Sequence, residues 1–175
     1  MAHVAWRTAL PELTRRANRA VKAALAVAES APAGAAVELT LIFTDDASMR
    51  ALNRKWRGED KPTNVLAFAA QESAGGASRQ TTPAAGPLLL GDVVLAHETV
   101  AREAVAGDLS LADHVCHLIV HGVLHLLGYD HQRPREARVM ETLEVRALAT
   151  LGIANPYKAP PPEVRAVRTR RAMER

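Results

Sequence analysis

The stretch VELTLIFT, residues 37–44, alternates side chains with a period of two, and Val37, Leu39, Leu41 and Phe43 fall on one side. Successive side chains of a strand point to opposite faces of its sheet, so this pattern predicts a strand with one covered face. Two other apolar runs have the length and composition of strands rather than helices. The chain therefore predicts a small mixed sheet of three or four strands. The predicted strands are residues 37–44, 64–70 and 88–96.

Other segments repeat apolar residues every three or four positions, which is typical of amphipathic helices. Start signals precede two of them: Thr44 and Asp45 offer cap oxygens, and Ser110 followed by Asp113 resembles a capping box. Strands and helices mix without regular βαβ alternation, which predicts an α+β fold with a central His-bearing helix. The predicted helices are residues 11–29, about 45–57, 97–106, 111–127 and 135–151.

Composition favours one domain, because 175 residues with 48% hydrophobic content can bury a single core. We assign residues 1–157 to this domain. The net charge of +3 is uneven, since residues 158–175 contain six Lys or Arg and two Glu. Such a basic tail is either solvated and flexible or contacts nucleic-acid phosphates, and both interpretations stay open.

Several classes of protein are disfavoured by what the sequence lacks. No apolar run approaches the ~20 residues that cross a bilayer, and the first residues do not have the layout of a signal peptide, so we predict a cytoplasmic protein without a membrane partner. One cysteine, Cys116, excludes an internal disulfide and a cysteine-rich zinc site, and its apolar neighbours predict a buried, unreactive thiol.

Three histidines lie close together in HGVLHLLGYDH, residues 121–131. On a helix, residues four apart share one side, with Cβ atoms about 5–6 Å apart, so His121 and His125 can reach one ion. Gly128 favours the left-handed conformation that ends helices, which lets the chain reverse and bring His131 back. The spacing predicts that these three residues bind one metal ion per chain.

Three neutral imidazoles leave the fourth tetrahedral position of Zn²⁺ open, and water there has a pKa of about 7, which is typical of a catalytic zinc site. No fourth protein ligand is close in sequence, because Cys116 lies about 140° round the helix from His121, and His117 lies about 12 Å along the axis from His125. We therefore predict that His117 supports a ligand rather than the ion. His3 and His97 are expected to be structural.

The motif has two other interpretations, a structural core and a peptidase site. A single histidine in an apolar helix is usually a satisfied core residue, but three polar rings in VCHLIVHGVLHLL would each need a partner, which a shared ion supplies. The spacing also matches metzincin peptidases, which carry a glutamate general base after the first histidine. Gly122 occupies that position, so proteolysis is the weaker hypothesis.

The same stretch, HGVLHLLGYDH, resembles the signature of the YbeY family of bacterial endoribonucleases, also called rRNA maturation factors. The resemblance extends to RGEDKPTNVLAF (57–68), LGDVV (90–94) and LGIANPY (151–157), and covers about residues 37–157. It implies an α+β fold, zinc on the three histidines, and cleavage of single-stranded RNA in rRNA maturation and ribosome quality control. The implied partners are the ribosome or its proteins.

By this resemblance, Arg57 is the arginine that the family uses in activity, and a guanidinium suits two-pronged phosphate binding. Lys61 is a further candidate phosphate contact. For Arg57 the simpler alternative is an exposed arginine without a role. For the whole protein, the alternative is a non-catalytic, metal-stabilised ribosome-assembly factor that binds RNA or a ribosomal protein.

Three features depart from the family pattern: Ala67 where a serine is usual, the Gly/Ala/Pro-rich residues 73–87, and the basic extension after Tyr157. None of them touches the predicted metal ligands, but they bear on how RNA is held. The chain contains two Trp, two Tyr and two Phe, which is too few for a platform that stacks several bases. The sequence does not predict the oligomeric state.

Overall fold

The described part of the chain contains three strands and five helices. The computed structural model describes residues 2–29, 36–70 and 87–158, with side chains from residue 12 onward. The predictions for the His3 side chain, for the loop up to residue 86 and for tail residues 159–175 lie outside it. The elements are α1 (Ala2–Val27), β1 (Val37–Thr44), α2 (Asp46–Arg57), β2 (Val65–Ala69), β3 (Leu88–Ala96), α3 (His97–Ala106), α4 (Leu111–Leu126) and α5 (Pro134–Thr150).

The three strands form one mixed sheet in the order β1-β3-β2. β1 runs parallel to β3 with Leu41 beside Val93, and β2 runs antiparallel to β3 with Ala67 beside Val93. The strand predicted at residues 37–44 has these bounds in the structure. The predicted α+β class and small mixed sheet are confirmed, with β2 as one edge strand.

The two faces of the sheet are covered unequally. The inner face packs against α1, α4 and α5 around one large core, to which α4 contributes the fully buried Val115, Ile119 and Leu124. The outer face meets mainly α2, where Met49 packs on Leu66 and Val94 in a smaller cluster. The His-bearing helix is therefore central, as predicted, while part of the outer sheet face is left open.

The helix starts follow the predicted capping chemistry. The Asp45 carboxylate accepts a hydrogen bond from the backbone N–H of Ser48 at 2.7 Å, and Ser110 Oγ accepts one from Asp113 N–H at 3.0 Å. Each bond satisfies a donor that the first helical turn leaves without a partner. Asp113 also pairs with Arg16, which ties α4 to α1.

The first helix differs from its predicted bounds, because α1 begins at Ala2 rather than Pro11 and ends at Val27 rather than Glu29. Proline is favoured in the first helical turn, where its missing N–H costs nothing. In the structure Pro11 lies inside the helix, so losing one backbone hydrogen bond does not end it.

Two expectations from composition can be compared with the structure. No single helix of residues 2–158, leaving aside the gaps at 30–35 and 71–86, is long and apolar enough to cross a membrane, and α3 and α4, which meet at a bend of 116°, reach that length and apolar content only together. Cys116 is buried, as predicted. Burial raises the pKa of its thiol, which keeps it protonated and unreactive.

Candidate metal centre

The chain reversal after α4 brings the three histidines together. His121 and His125 occupy the last turns of α4, and Gly128 adopts φ +89°, a left-handed conformation that glycine takes without strain. Gly128 N–H donates to the His125 carbonyl at 2.9 Å, and Tyr129 N–H donates to the Leu124 carbonyl at 3.0 Å. This pair of bonds is a Schellman motif, which turns the chain so that His131 faces the helix.

The three imidazoles have the geometry to hold one ion. One nitrogen from each ring lies within 4.8 Å of the others, and the ring centroids are 4.6, 5.0 and 5.4 Å apart. Nε2 of His121 and Nε2 of His125 are 3.1 Å apart. Zn–N bonds of about 2.0–2.1 Å at tetrahedral angles place ligand nitrogens ~3.3 Å apart. The residues present therefore fit a divalent metal ion of this kind.

A buried carboxylate orients the first ligand. Glu144, 1% exposed, accepts a hydrogen bond from Nδ1 of His121 at 2.9 Å, another from Nε2 of His117 at 2.8 Å, and a third from the hydroxyl of Tyr157. Because Glu144 is ionised, Nδ1 of His121 carries the proton and Nε2 presents its lone pair to the cluster. A carboxylate behind a metal-binding histidine fixes its tautomer and orientation in this way.

The pKa values agree with this arrangement. Burial alone would raise the pKa of Glu144, but the hydrogen bonds from His117, His121 and Tyr157 lower it to about 2. Burial and the bond to Glu144 raise the pKa of Tyr157, so it remains a donor. Burial, together with His121 and His131, lowers the pKa of His125 to about 4. His125 is thus neutral at pH 7, the form that binds metal.

Sequence reasoning missed Glu144 and the role of Tyr157. Glu144 lies on the apolar stripe of α5, at helical spacing from the buried Met140, Ala147 and Leu148. A charged residue on such a stripe is almost never fully buried unless it is paired, so its position was the available signal. His117, predicted to support a ligand, is placed by the structure beside Glu144, and its link to His121 runs through that carboxylate.

Replacing Glu144 with glutamine is expected to weaken zinc affinity about 10- to 100-fold, because loss of a carboxylate that hydrogen-bonds a metal-binding histidine typically costs this much. The amide keeps the shape but not the charge that orients His121. Competition with a chromogenic chelator measures the change. Glu141→Gln, an exposed change on the same helix, is the matched control. Equal affinities for the two variants would contradict the orienting role.

The candidate metal centre opens into a cleft of about 630 Å³. One wall is formed by α4 and the turn at residues 128–132, and the other by residues 63–67 and Ala69 with Arg57 at the end of α2. The structure thus brings Arg57 to the same cleft as the histidines. Lys61 is exposed and does not line the cleft; its Nζ lies 3.0 Å from a carboxylate oxygen of Glu59.

A second hydrogen-bond network fixes the rim of the cleft. Asn64 Nδ2 donates to Glu103 at 3.0 Å, while Asn64 Oδ1 accepts from the N–H of Val65 at 2.7 Å. His114 Nε2 lies 2.8 Å from the same Glu103 carboxylate, which ties the rim to α4. Both ends of the Asn64 amide make hydrogen bonds, which fix the start of β2 beside the cleft.

The position that carries glutamate in metzincins has no room for a side chain. A Cβ at Gly122 would lie 2.7 Å from Cγ1 of Val93 on β3, and real Cβ atoms do not approach that closely. Valine is stiff at χ1, so the contact is not easily relieved. The peptidase hypothesis therefore lacks both its general base and the space for one.

Comparison with known proteins agrees with the site. The family model described as Endoribonuclease YbeY matches residues 6–152. A protein named Endoribonuclease YbeY from Paramagnetospirillum magneticum is 50% identical over 153 residues, covering 87% of this chain and 90% of its own. One of the same name from Sphingopyxis alaskensis is 52% identical over 155 residues, covering 87% and 91%.

Among solved structures, the solution structure of TM1509 from Thermotoga maritima aligns at 19% identity with a TM-score of 0.47, covering 87% of this chain and 93% of that one. The assignment rests on the family model, which spans most of the chain, and on relatives that are about half identical over nearly their full length. The chain belongs to the Endoribonuclease YbeY family.

Proposed function

We propose that the protein is a zinc-dependent endoribonuclease specific for single-stranded RNA, acting in rRNA maturation and ribosome quality control. One observation carries the catalytic part: three histidine nitrogens within 4.8 Å of one another share a cleft with an arginine. Membership of the family supports RNA as the substrate, since its relatives are named endoribonucleases. The ribosome as partner rests on the family resemblance, and the cytoplasm as location rests on the sequence expectation given above.

Arg57 and the three histidines have distinct parts in the proposed reaction. The Arg57 guanidinium binds a phosphate in two-pronged fashion and offsets the negative charge that builds during its displacement. His121, oriented by Glu144, would hold the metal together with the neutral His125 and with His131. When bound there, Zn²⁺ supplies Lewis-acid polarisation of a phosphodiester oxygen. Asp130 faces the same cleft, and its Oδ1 accepts from His131 N–H at 2.7 Å, which steadies the turn.

The size of the cleft favours a single strand. A volume near 630 Å³ lies in the range of pockets that enclose one small ligand, so the cleft has room for one splayed nucleotide. Bases of single-stranded RNA can be splayed out in this way, whereas bases of a helix are stacked and paired. A matched pair of single- and double-stranded oligonucleotides tests this part of the proposal.

Arg57→Ala is expected to lower single-turnover cleavage about 100- to 1,000-fold, the usual cost of removing one donor that stabilises transition-state charge. Zinc content should stay at one ion per chain, because the candidate metal ligands are three histidines and do not include Arg57. Cleavage of a 5′-labelled RNA measures the rate. Arg54→Ala is the control, since Arg54 is also exposed near the end of α2 but does not line the cleft.

The same assay separates the enzyme from the assembly-factor alternative. A wild-type protein that contains zinc and binds RNA or a ribosomal protein, yet never cuts RNA, would favour the alternative. A 2′,3′-cyclic phosphate on the product would identify the substrate's own 2′-hydroxyl as the nucleophile. A 5′-phosphate on one product and a 3′-hydroxyl on the other would indicate attack by water.

A further inference from the structure

An open groove of about 470 Å³ lies on the outer face of the sheet, beyond the part that α2 covers. Its floor is formed by side chains of all three strands, which share this face because Ile42 pairs with Val94 and Phe68 pairs with Asp92. Its wall is the end of α2. The lining includes Ile42, Leu52, Trp56, Phe68, Asp92 and Val94.

Trp56 is the largest side chain of the groove, and it is 57% exposed. Helical spacing placed it on one face with Met49 and Leu52, and Met49 is indeed buried, but the sheet ends before it covers the indole. The Phe68 ring meets the indole edge-on at 5.8 Å, and Lys55 Nζ lies 4.9 Å from the indole centroid. The indole is thus held by neighbours yet keeps free area for a planar ligand.

The groove continues into the candidate metal centre across the edge strand β2. Ala67 lines the cleft, Phe68 lines the groove, and Ala69 lines both. On α2, Trp56 at the groove is followed directly by Arg57 at the cleft. A strand of nucleotides with one phosphate at Arg57 can therefore pass over the end of β2 and place a neighbouring base in the groove.

We propose that this groove binds one nucleobase of the RNA substrate, stacked on Trp56, within about two nucleotides of the phosphate held by Arg57. Stacking on an aromatic ring is a general way to hold a single-stranded base. Lys55 adds positive charge for the backbone beside it. This inference rests on the proposed ribonuclease function. It concerns one base, which agrees with the small number of aromatic residues in the chain.

Asp92 gives the groove a preference among bases. Its partly buried side chain lies in the floor beside Phe68, and the structure gives it no hydrogen bond or ion pair with another described residue. A carboxylate accepts hydrogen bonds from an exocyclic amine, as it does from N4 of cytosine. The groove should therefore favour a base with such an amine over uracil.

The test is a cycle between protein and substrate variants. Single-stranded RNAs with one abasic nucleotide at each of the three positions on either side of the cleavage site are cut by wild type and by Trp56→Ala. With the wild-type enzyme, removing the base at one of these positions should lower kcat/KM roughly 5- to 150-fold, which is the usual contribution of one stacked base. With intact RNA, Trp56→Ala should lower kcat/KM by the same factor. With the RNA that lacks this base, Trp56→Ala should lower kcat/KM no further. Trp56→Phe should recover part of the lost kcat/KM with intact RNA.

Fluorescence provides a readout that a structural role would not move. In a Trp6→Phe background Trp56 is the remaining tryptophan, and its emission should be quenched on stopped-flow mixing with intact RNA before cleavage, but not with the critical abasic RNA. Val105→Ala removes another exposed apolar side chain, 84% exposed on α3, and should match wild type in every assay.

Three outcomes would overturn the inference. Equal losses for Trp56→Ala with intact and abasic RNA would make Trp56 structural. Wild-type kcat/KM for Trp56→Ala on every RNA would show that the groove does not bind the substrate and would favour a protein partner instead. An indole that acrylamide cannot reach in the free protein would mean that another part of the chain covers it. A wild type that never cuts RNA overturns the proposed function, while base-dependent quenching would still report the subsite.

Discussion

His125→Ala is expected to reduce bound zinc from one ion per chain to less than about a tenth, and to lower kcat/KM for RNA at least ~1,000-fold. A metal ion supplies several kcal/mol of transition-state stabilisation, and each 1.4 kcal/mol is a factor of ten in rate. Two remaining imidazoles cannot fill three positions, so affinity and rate fall together. Metal analysis of the purified protein, beside cleavage of a defined RNA, measures both.

His97→Gln is the control for this experiment, because His97 begins α3 and does not line the cleft. It should keep one zinc ion and near wild-type cleavage. Circular dichroism of both variants distinguishes a lost ion from a lost fold. Retention of a full zinc ion and of normal cleavage by His125→Ala would refute the three-histidine centre.

Gly91→Ala is expected to have the largest effect on stability, with a loss of about 3–5 kcal/mol in the free energy of unfolding. Gly91 adopts φ +129°, and a Cβ there would lie 2.0 Å from the Phe68 carbonyl oxygen and 2.8 Å from Ala70 N. The atoms that would have to move are backbone atoms of β2. Strained backbone and overpacking each cost about 1–3 kcal/mol.

Urea denaturation followed by circular dichroism measures the loss. Gly152→Ala is the matched control, because Gly152 has φ +74° but nothing within 4 Å of an added Cβ. It should cost only the ~1–2 kcal/mol of a left-handed alanine. Equal losses at both positions would show that the close approach of β2 to β3 contributes nothing.

The sequence predicted the local elements well because their signals are local. The period of two in residues 37–44 and the caps at Asp45 and Ser110 need only neighbouring residues, and the structure has them as predicted. The spacing of His121, His125 and Gly128 is likewise a property of one helix and its end. These local features place the three imidazoles within reach of one ion.

The parts that could not be predicted depend on where separate elements meet. Glu144 is buried because His117, His121 and Tyr157, from α4 and from the segment after α5, converge on it. Strand order depends on which distant strands pair, and the open outer face depends on how far α2 extends across the sheet. Trp56 is exposed because the sheet does not reach past the end of α2, and the helical spacing of apolar residues does not predict where that overlap ends.

Two of the three candidate ligands lie on α4, the helix whose other side fills the core. An unfolded chain has no helix to align His121 with His125, so the ion binds the folded form preferentially. By mass action it then adds RT ln(1 + [M]/Kd) to stability, about 2.7 kcal/mol when free metal is 100-fold above Kd. If the proposed ion is bound there, its removal should lower the melting temperature of the protein as well as its activity.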